Sequence, residues 1–481
     1  MSHFLFDHSH PYLSGNFKPM RFEGEARFLE VEGELPDELI GSLYFNSSCP
    51  QFPPTSANYH WFAGDGKVHA YHFKGNGVVD YVTRWVRTQN FALEREAQRA
   101  LFGNKKYGSR SEVDPSVRTI RAQTANTNAI LHANKLFAME DGIAPIELDP
   151  ESLETLGSYD FSGSLDGPMT AHVHVDPSTG EMIAFGRQVG GAGSPIMTHQ
   201  VIDANGTLQC CERFEAPYCA LLHDFAITEN FVLYPLGPAI LDPSRPKYGK
   251  PVLGWEPDRS GYIGILPRNQ GVTGLQWIEV PAYFMWHTLN AFEVGDEIYL
   301  DFVKYASLPR YDLKEDVRTS KDPERFAGRL IRWRISPSTG TIQEEVLDHL
   351  ISEFPRVDER VIGQQHRHAF FLCMQNKQGE SRHWDAVVHL DLQTGRKEIY
   401  DPGPKSFVSE GCFAPRVSNN SSIESPFEEA DGFYLLPVYH ESEKRSDIIV
   451  LDARNFSAGP LARIKLPFRM NPTFHCNYYP K

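Results

Sequence analysis

The sequence predicts an all-β protein of the propeller type, and three observations carry that prediction. Runs rich in Val, Ile, Tyr, Phe and Trp, the residues that suit a pleated and half-buried surface, dominate the chain. A hairpin-type turn recurs between these runs at intervals of a few tens of residues, the spacing that repeated blades produce. No Pro/Gly/Ser-rich linker divides the 481 residues, so residues 1–481 read as a single domain. A pair of β-sandwiches is the structural alternative, but it would more naturally split the chain.

Taken in order, the first non-β element is expected at residues 92–102. Good helix formers fill that stretch, and Gly103 follows it, a natural residue just past a helix end. Hairpin tips are expected at 149–157, 176–181, 203–206, 336–340, 391–395 and 452–455. In these tips Pro presets φ, Gly supplies a positive φ, and Asp or Ser bonds its own backbone. Residues 243–260 and 306–326 are rich in Pro and charge and read as long loops. Helical and loop insertions of this kind cap one face of a propeller and roof its site.

Composition excludes several functions. The chain is 41% hydrophobic and 23% charged, which is ordinary for a globular protein. Its net charge of −15, without a Lys/Arg cluster, argues against nucleic acid as a partner. The seven cysteines form no CxxC pair and no disulfide framework, as expected in a reducing compartment. The amino terminus lacks the basic and apolar blocks of a signal peptide, and no apolar run nears the roughly 18 residues of a spanning helix. A cytoplasmic protein is the expectation.

Four histidines stand out. His172, His223, His287 and His475 each lie in a short apolar segment, where an unpartnered polar ring is costly to bury. One alone reads as a satisfied core residue; four suggest strands converging on a metal. They are 51, 64 and 188 residues apart, unlike the tight pairs of zinc sites, and this spacing fits one ligand per blade. All-imidazole ligation suits iron, copper, zinc or nickel, and open positions beside the ligands suit dioxygen chemistry at ferrous iron. A metal-bound histidine usually gives its other ring nitrogen to a carboxylate. Glu140, Glu353 and Glu410, each in an apolar, strand-like context, are the candidates.

At this point the chain resembles the carotenoid cleavage oxygenases, which include lignostilbene- and isoeugenol-cleaving enzymes. The resemblance spans nearly the whole chain. It rests on Trp61-Phe62-Ala63-Gly64-Asp65-Gly66, Ala125-Asn126-Thr127-Asn128, Thr170-Ala171-His172 and Leu222-His223-Asp224-Phe225-Ala226-Ile227-Thr228. His287 with Asn290-Ala291-Phe292-Glu293, then Phe354-Pro355-Arg356 and Phe474-His475, complete it. It implies a seven-bladed β-propeller binding Fe(2+) through the four histidines, with Glu140, Glu353 and Glu410 as the family's orienting glutamates. The implied activity is oxidative cleavage of a carbon–carbon double bond by dioxygen into two carbonyl products.

Local similarity is closer to the isoeugenol and stilbene cleavers, at Leu101-Phe102-Gly103, Asp114-Pro115-Ser116-Val117, Glu140-Asp141-Gly142 and Trp255-Glu256-Pro257. The expected substrate is therefore a small hydrophobic aromatic alkene, a stilbenoid or phenylpropenoid, contacted by Phe62, Tyr107, Met139, Phe284 and Phe474. The alternatives are an apocarotenoid or carotenoid substrate, non-oxidative chemistry on the same scaffold, and a non-catalytic interaction platform. No dinucleotide-binding fingerprint is present, so no NAD(P)H or flavin is expected.

Three departures from the family are notable. Val173-His174 stands where the family often has Pro followed by Lys or Arg, and His174 reads as a non-ligand. Cys476 replaces the usual Gly after the last histidine. Met139 replaces the lysine that stilbene cleavers of this type carry before their glutamate. His366 and His368 read as structural.

Overall fold

The computed structural model describes residues 5–57, 59–104, 112–309, 322–375, 384–416 and 427–481. The chain forms two compact units, one of residues 1–159 with 400–481 and the other of residues 160–399.

The first unit holds three antiparallel sheets. Glu30–Gly33 pairs with Pro460–Lys465, and Ile40–Ser48 pairs with Thr473–Pro480, so strands from both ends of the chain close two of them. The third runs Asn128–His132, Lys135–Met139, Ile146–Leu148 and Thr155–Ser158. The second unit holds four sheets of four strands each, and they begin with His174–Val175, Ala226–Ile227, Phe284–Val294 and Ile351–Arg356. Within each, consecutive strands are mostly neighbours. Seven such sheets are the blades of a seven-bladed β-propeller, as expected.

All six predicted hairpin tips join antiparallel neighbours, and their chemistry is local. Gly180 N donates to Asp176 O (2.8 Å), Gly340 N to Ser336 O (2.9 Å) and Gly395 N to Asp391 O (2.8 Å). Within the same turns Asp176 Oδ1 accepts from Ser178 N at 2.8 Å and Asp391 Oδ1 from Gln393 N at 3.0 Å.

Two expectations need correction. The helix runs Gln89–Ala97 instead of 92–102. Thr88 caps it, its Oγ1 accepting from Phe91 N at 3.1 Å. It stops early because Gln98 takes a left-handed conformation (φ +52°) and Glu94 turns its carboxylate onto Leu101 N and Phe102 N. The stretch 243–260 is not all loop. Ala239–Leu241 pairs with Leu253–Trp255 across the 3₁₀ turn Arg245–Tyr248, and Arg245 bonds Glu256 at 2.8 Å. Most of 306–326 lies outside the described residues.

No helix among the described residues is long and apolar enough to cross a membrane. Among the described residues, no cysteine forms a disulfide.

Candidate metal centre

The predicted ligands sit at sheet edges. His172 and His223 each lie within three residues of the strands His174–Val175 and Ala226–Ile227, which open their sheets. His287 is on Phe284–Val294, the edge strand of the next sheet, and His475 is on the edge strand Thr473–Pro480.

Irregular pairing accompanies these residues. The ladder of Phe284–Val294 shifts register on both sides of Thr288, that of Ile351–Arg356 between Glu353 and Arg356, and that of Ile40–Ser48 with Thr473–Pro480 beside His475. A bulge leaves one residue unpaired and re-aims the neighbouring side chains, which is how a regular blade edge can present imidazoles. Phe354 occupies the bulge beside Glu353 with φ +53°, a conformation rare for a bulky residue.

The side-chain nitrogens of His172, His223, His287 and His475 all lie within 4.8 Å of one another, a group able to hold a metal ion. His172 Nε2 and His223 Nε2 are 3.0 Å apart, and the His172 ring centroid is 5.0 Å from that of His287. Two imidazole nitrogens on one ion lie no farther apart than about 4.2 Å, given bonds of about 2.1 Å, so the observed cluster needs little closure. The donor set itself, four neutral imidazoles, suits iron, copper, zinc or nickel.

Carboxylates fix two of the rings. His287 Nδ1 donates to Glu353 Oε2 at 2.5 Å, and this glutamate is fully buried, with Tyr305 Oη donating to its Oε1 at 3.0 Å. His475 Nδ1 is 3.2 Å from both oxygens of Glu410, which also accepts from Cys476 N at 2.8 Å. In each pair the bond commits Nδ1 as donor, which leaves the Nε2 lone pair for a cation. Glu140 is equally buried. It accepts from Thr124 N, from Thr124 Oγ1 at 2.6 Å and from Ala125 N at 2.7 Å.

Asp224 was not predicted as part of the centre. It is buried, and its Oδ2 accepts from Thr288 N (2.7 Å) and Thr288 Oγ1 (2.8 Å). Burial opposes its ionisation, but the nearby imidazoles of His172, His174 and His287 and the bond from His174 outweigh that and hold its carboxyl well below the usual carboxylate range. Its only sequence signal was its place in the motif after His223. Trp286 and Phe354 were also missed. Trp286 meets His223 edge-on at 5.0 Å, and Phe354 stacks on His287 at 5.1 Å.

The candidate substrate residues divide. Phe62 and Phe474 meet edge-on at 5.3 Å, and Phe474 stacks on Trp61 at 4.2 Å beside His475. Phe284 packs on Trp286 at 4.9 Å. Met139 is 1% exposed, next to Glu140. Tyr107 lies outside the described residues. Cys476 turns away from the histidines into an apolar core with Phe45 and Tyr478, its Sγ 3.2 Å from Glu410 O. His174, His366 and His368 are not in the four-histidine group. His366 Nε2 is 3.2 Å from Asp301, and His368 Nδ1 is 2.9 Å from His389 Nε2.

A family model described as retinal pigment epithelial membrane protein matches residues 17–480. Isoeugenol monooxygenase of Pseudomonas nitroreducens is 35% identical over 482 residues, 98% of each chain. Lignostilbene-alpha,beta-dioxygenase isozyme III of Sphingomonas paucimobilis is 33% identical, over 97% of this chain and 96% of its own. The crystal structure of Pseudomonas brassicacearum lignostilbene dioxygenase superposes with a TM-score of 0.91 at 34% identity, covering 99% of this chain and 100% of that one.

Proposed function

Because the chain belongs to the retinal pigment epithelial membrane protein family, that of the carotenoid cleavage oxygenases, we propose that it is an Fe(2+)-dependent oxygenase that splits the double bond of an aromatic alkene. The alkene is a stilbenoid or phenylpropenoid, and dioxygen converts it into two carbonyl products. The observation that carries this reading is the four-histidine group with Glu353 and Glu410 bonded to the outward nitrogens of two members.

Iron, when bound, supplies the dioxygen chemistry. The protein's own residues do the rest. His172, His223, His287 and His475 are the proposed ligands. Glu353 and Glu410 hold their rings in one tautomer and make them better donors, and Glu140 is the third orienting carboxylate. Phe62, Phe284 and Phe474 are the aromatic side chains proposed to meet a flat ring, and Tyr107, outside the described residues, is the fourth candidate. Cleavage of one C=C and one O–O bond into two C=O groups balances without added electrons, so no NAD(P)H or flavin is required. The match to the relatives over nearly their full length supports reading the chain as one oxygenase domain. Seven cysteines outside any disulfide support a cytoplasmic location.

Met139 favours a second reading of the substrate. Its thioether is a soft apolar wall that cannot take or stabilise a phenolic proton. A substrate without a free para-hydroxyl, or an apocarotenoid, suits that wall better than a phenol.

The test is dioxygen uptake by iron-loaded protein, without reductant, on isoeugenol, resveratrol, their methoxylated analogues and an apocarotenal. Turnover of the methoxylated aromatics is expected. Turnover of the apocarotenal alone would replace the aromatic assignment, and a reductant requirement at every cycle would remove the oxygenase reading.

A further inference from the structure

Glu353 and Glu410 each reach one imidazole. One other buried carboxylate touches the flanks of three. Asp224 follows His223 directly. Its Oδ1 accepts from Phe225 N at 2.7 Å and lies 3.3 Å from His174 Nε2, two residues beyond His172. Its Oδ2 takes both donors of Thr288, the residue after His287, at 2.7 and 2.8 Å.

The lacing around it is close. His174 Nε2 is 2.7 Å from Phe225 O, and since a carbonyl only accepts, Nε2 carries the proton. Thr288 Oγ1 also lies 2.9 Å from Phe225 O. Thr170 Oγ1 accepts from His172 N at 3.1 Å and donates to His223 O at 3.3 Å. These bonds join segments 170–174, 223–225 and 287–288, which are otherwise separate in the chain. Each carries one proposed ligand.

We propose that Asp224, with Thr288 and His174 as its donors, is a positioning residue that fixes His172, His223 and His287 relative to one another. This rests on the metal reading above. It also gives His174 a part: at the position where the family often has Pro followed by Lys or Arg, an imidazole N–H tethers the His172 segment to that of His223. The principle is the one by which outer hydrogen bonds orient metal ligands, applied to three backbone segments at once.

Full-length Asp224→Ala, Thr288→Val, Thr288→Ser and His174→Phe proteins test it in two ways. Crystal structures of the metal-free proteins report ring positions. The Co²⁺-loaded proteins report ligand-field absorption and the rate of Co²⁺ loss to a chelator. The expected result is displaced His172 and His287 rings, an altered cobalt spectrum and loss of cobalt roughly 10–100-fold faster in Asp224→Ala and Thr288→Val. His174→Phe should displace the His172 segment alone, and Thr288→Ser, which keeps the hydroxyl, should behave as wild type. Thr288→Val and His174→Phe remain informative if Asp224→Ala does not fold. Unmoved rings with an unchanged cobalt spectrum and off-rate in the folded variants would overturn the proposal. Displaced rings in a protein whose wild type takes up no cobalt would sustain the positioning role and sink the metal reading instead.

Discussion

A single atom changes the donor character of the Glu353 site. Its Oε2 accepts from His287 Nδ1 and Phe354 N, both at 2.5 Å. Glu353→Gln would lose the negative charge that strengthens the imidazole in either amide orientation, and in one of them would also turn an NH₂ toward these donors. Metal affinity is expected to fall roughly 10–100-fold, read by chelator competition, with Glu410→Gln behaving alike. Two buried histidines outside the centre are expected to contribute to acid sensitivity. Burial pushes His199 and His389 down to about 4. The unfolded chain takes up these protons near pH 6.5, the folded protein only near 4, so the unfolded state binds more protons between the two. Their contribution to stability is therefore complete above about pH 6.5 and lost as pH falls through 4. Replacing His199, whose Nδ1 lies 2.9 Å from Tyr234 Oη, by Gln should flatten the fall in unfolding free energy between pH 6.5 and 4 in metal-free protein. An unchanged slope in urea titrations would assign the acid sensitivity to other groups.

Among the elements, the amino-terminal segment is held by two basic side chains. Lys67 is fully buried, and its Nζ donates to Met20 O at 2.6 Å and to Phe22 O, while Arg469 donates to Asn16 O and Lys18 O. The carbonyls of Asn16, Lys18, Met20 and Phe22 are thus satisfied by these two basic side chains. Phe17 packs edge-on against Trp61 at 5.1 Å, and Trp61 stacks on Phe474. Lys67→Met keeps the length but removes the donors. It should speed tryptic cleavage after Lys18 and Arg21 severalfold without lowering metal content, and unaltered cleavage would mean that Arg469 and the aromatic contacts suffice. The helix Gln89–Ala97 offers a smaller test. Thr88→Ala removes its cap and should cost about 1 kcal/mol in urea unfolding.

For the whole molecule, both chain ends matter because the strand Thr473–Pro480 pairs with Ile40–Ser48 and also carries His475. His475→Ala should lose metal yet unfold cooperatively. Deleting residues 473–480 should lose the metal and also expose the edge of Ile40–Ser48, giving an aggregating chain on size-exclusion chromatography. Much of this architecture was legible in the sequence. The hairpin tips rest on bonds spanning two to four residues, such as Ser178 N to Asp176 Oδ1, so residue types alone specify them. The histidine and glutamate positions were legible as a family pattern; the four histidines group together, and Glu353 and Glu410 each meet one of them. The helix limits were misjudged because the chain already takes a left-handed conformation at Gln98, five residues before the left-handed Gly103, and Glu94 bonds Leu101 and Phe102 beyond it. Asp224 was unreadable as a brace because its donor Thr288 is 64 residues away, as the bulges beside His287, Glu353 and His475 were unreadable without their partner strands. The sequence by itself determined the blades, their turns and the imidazole chemistry of the four-histidine group, since these depend on neighbours along the chain or on side-chain type. The tertiary structure alone decided which carboxylate meets which ring and which segments are tied together, because those bonds exist only once distant strands have been brought into register.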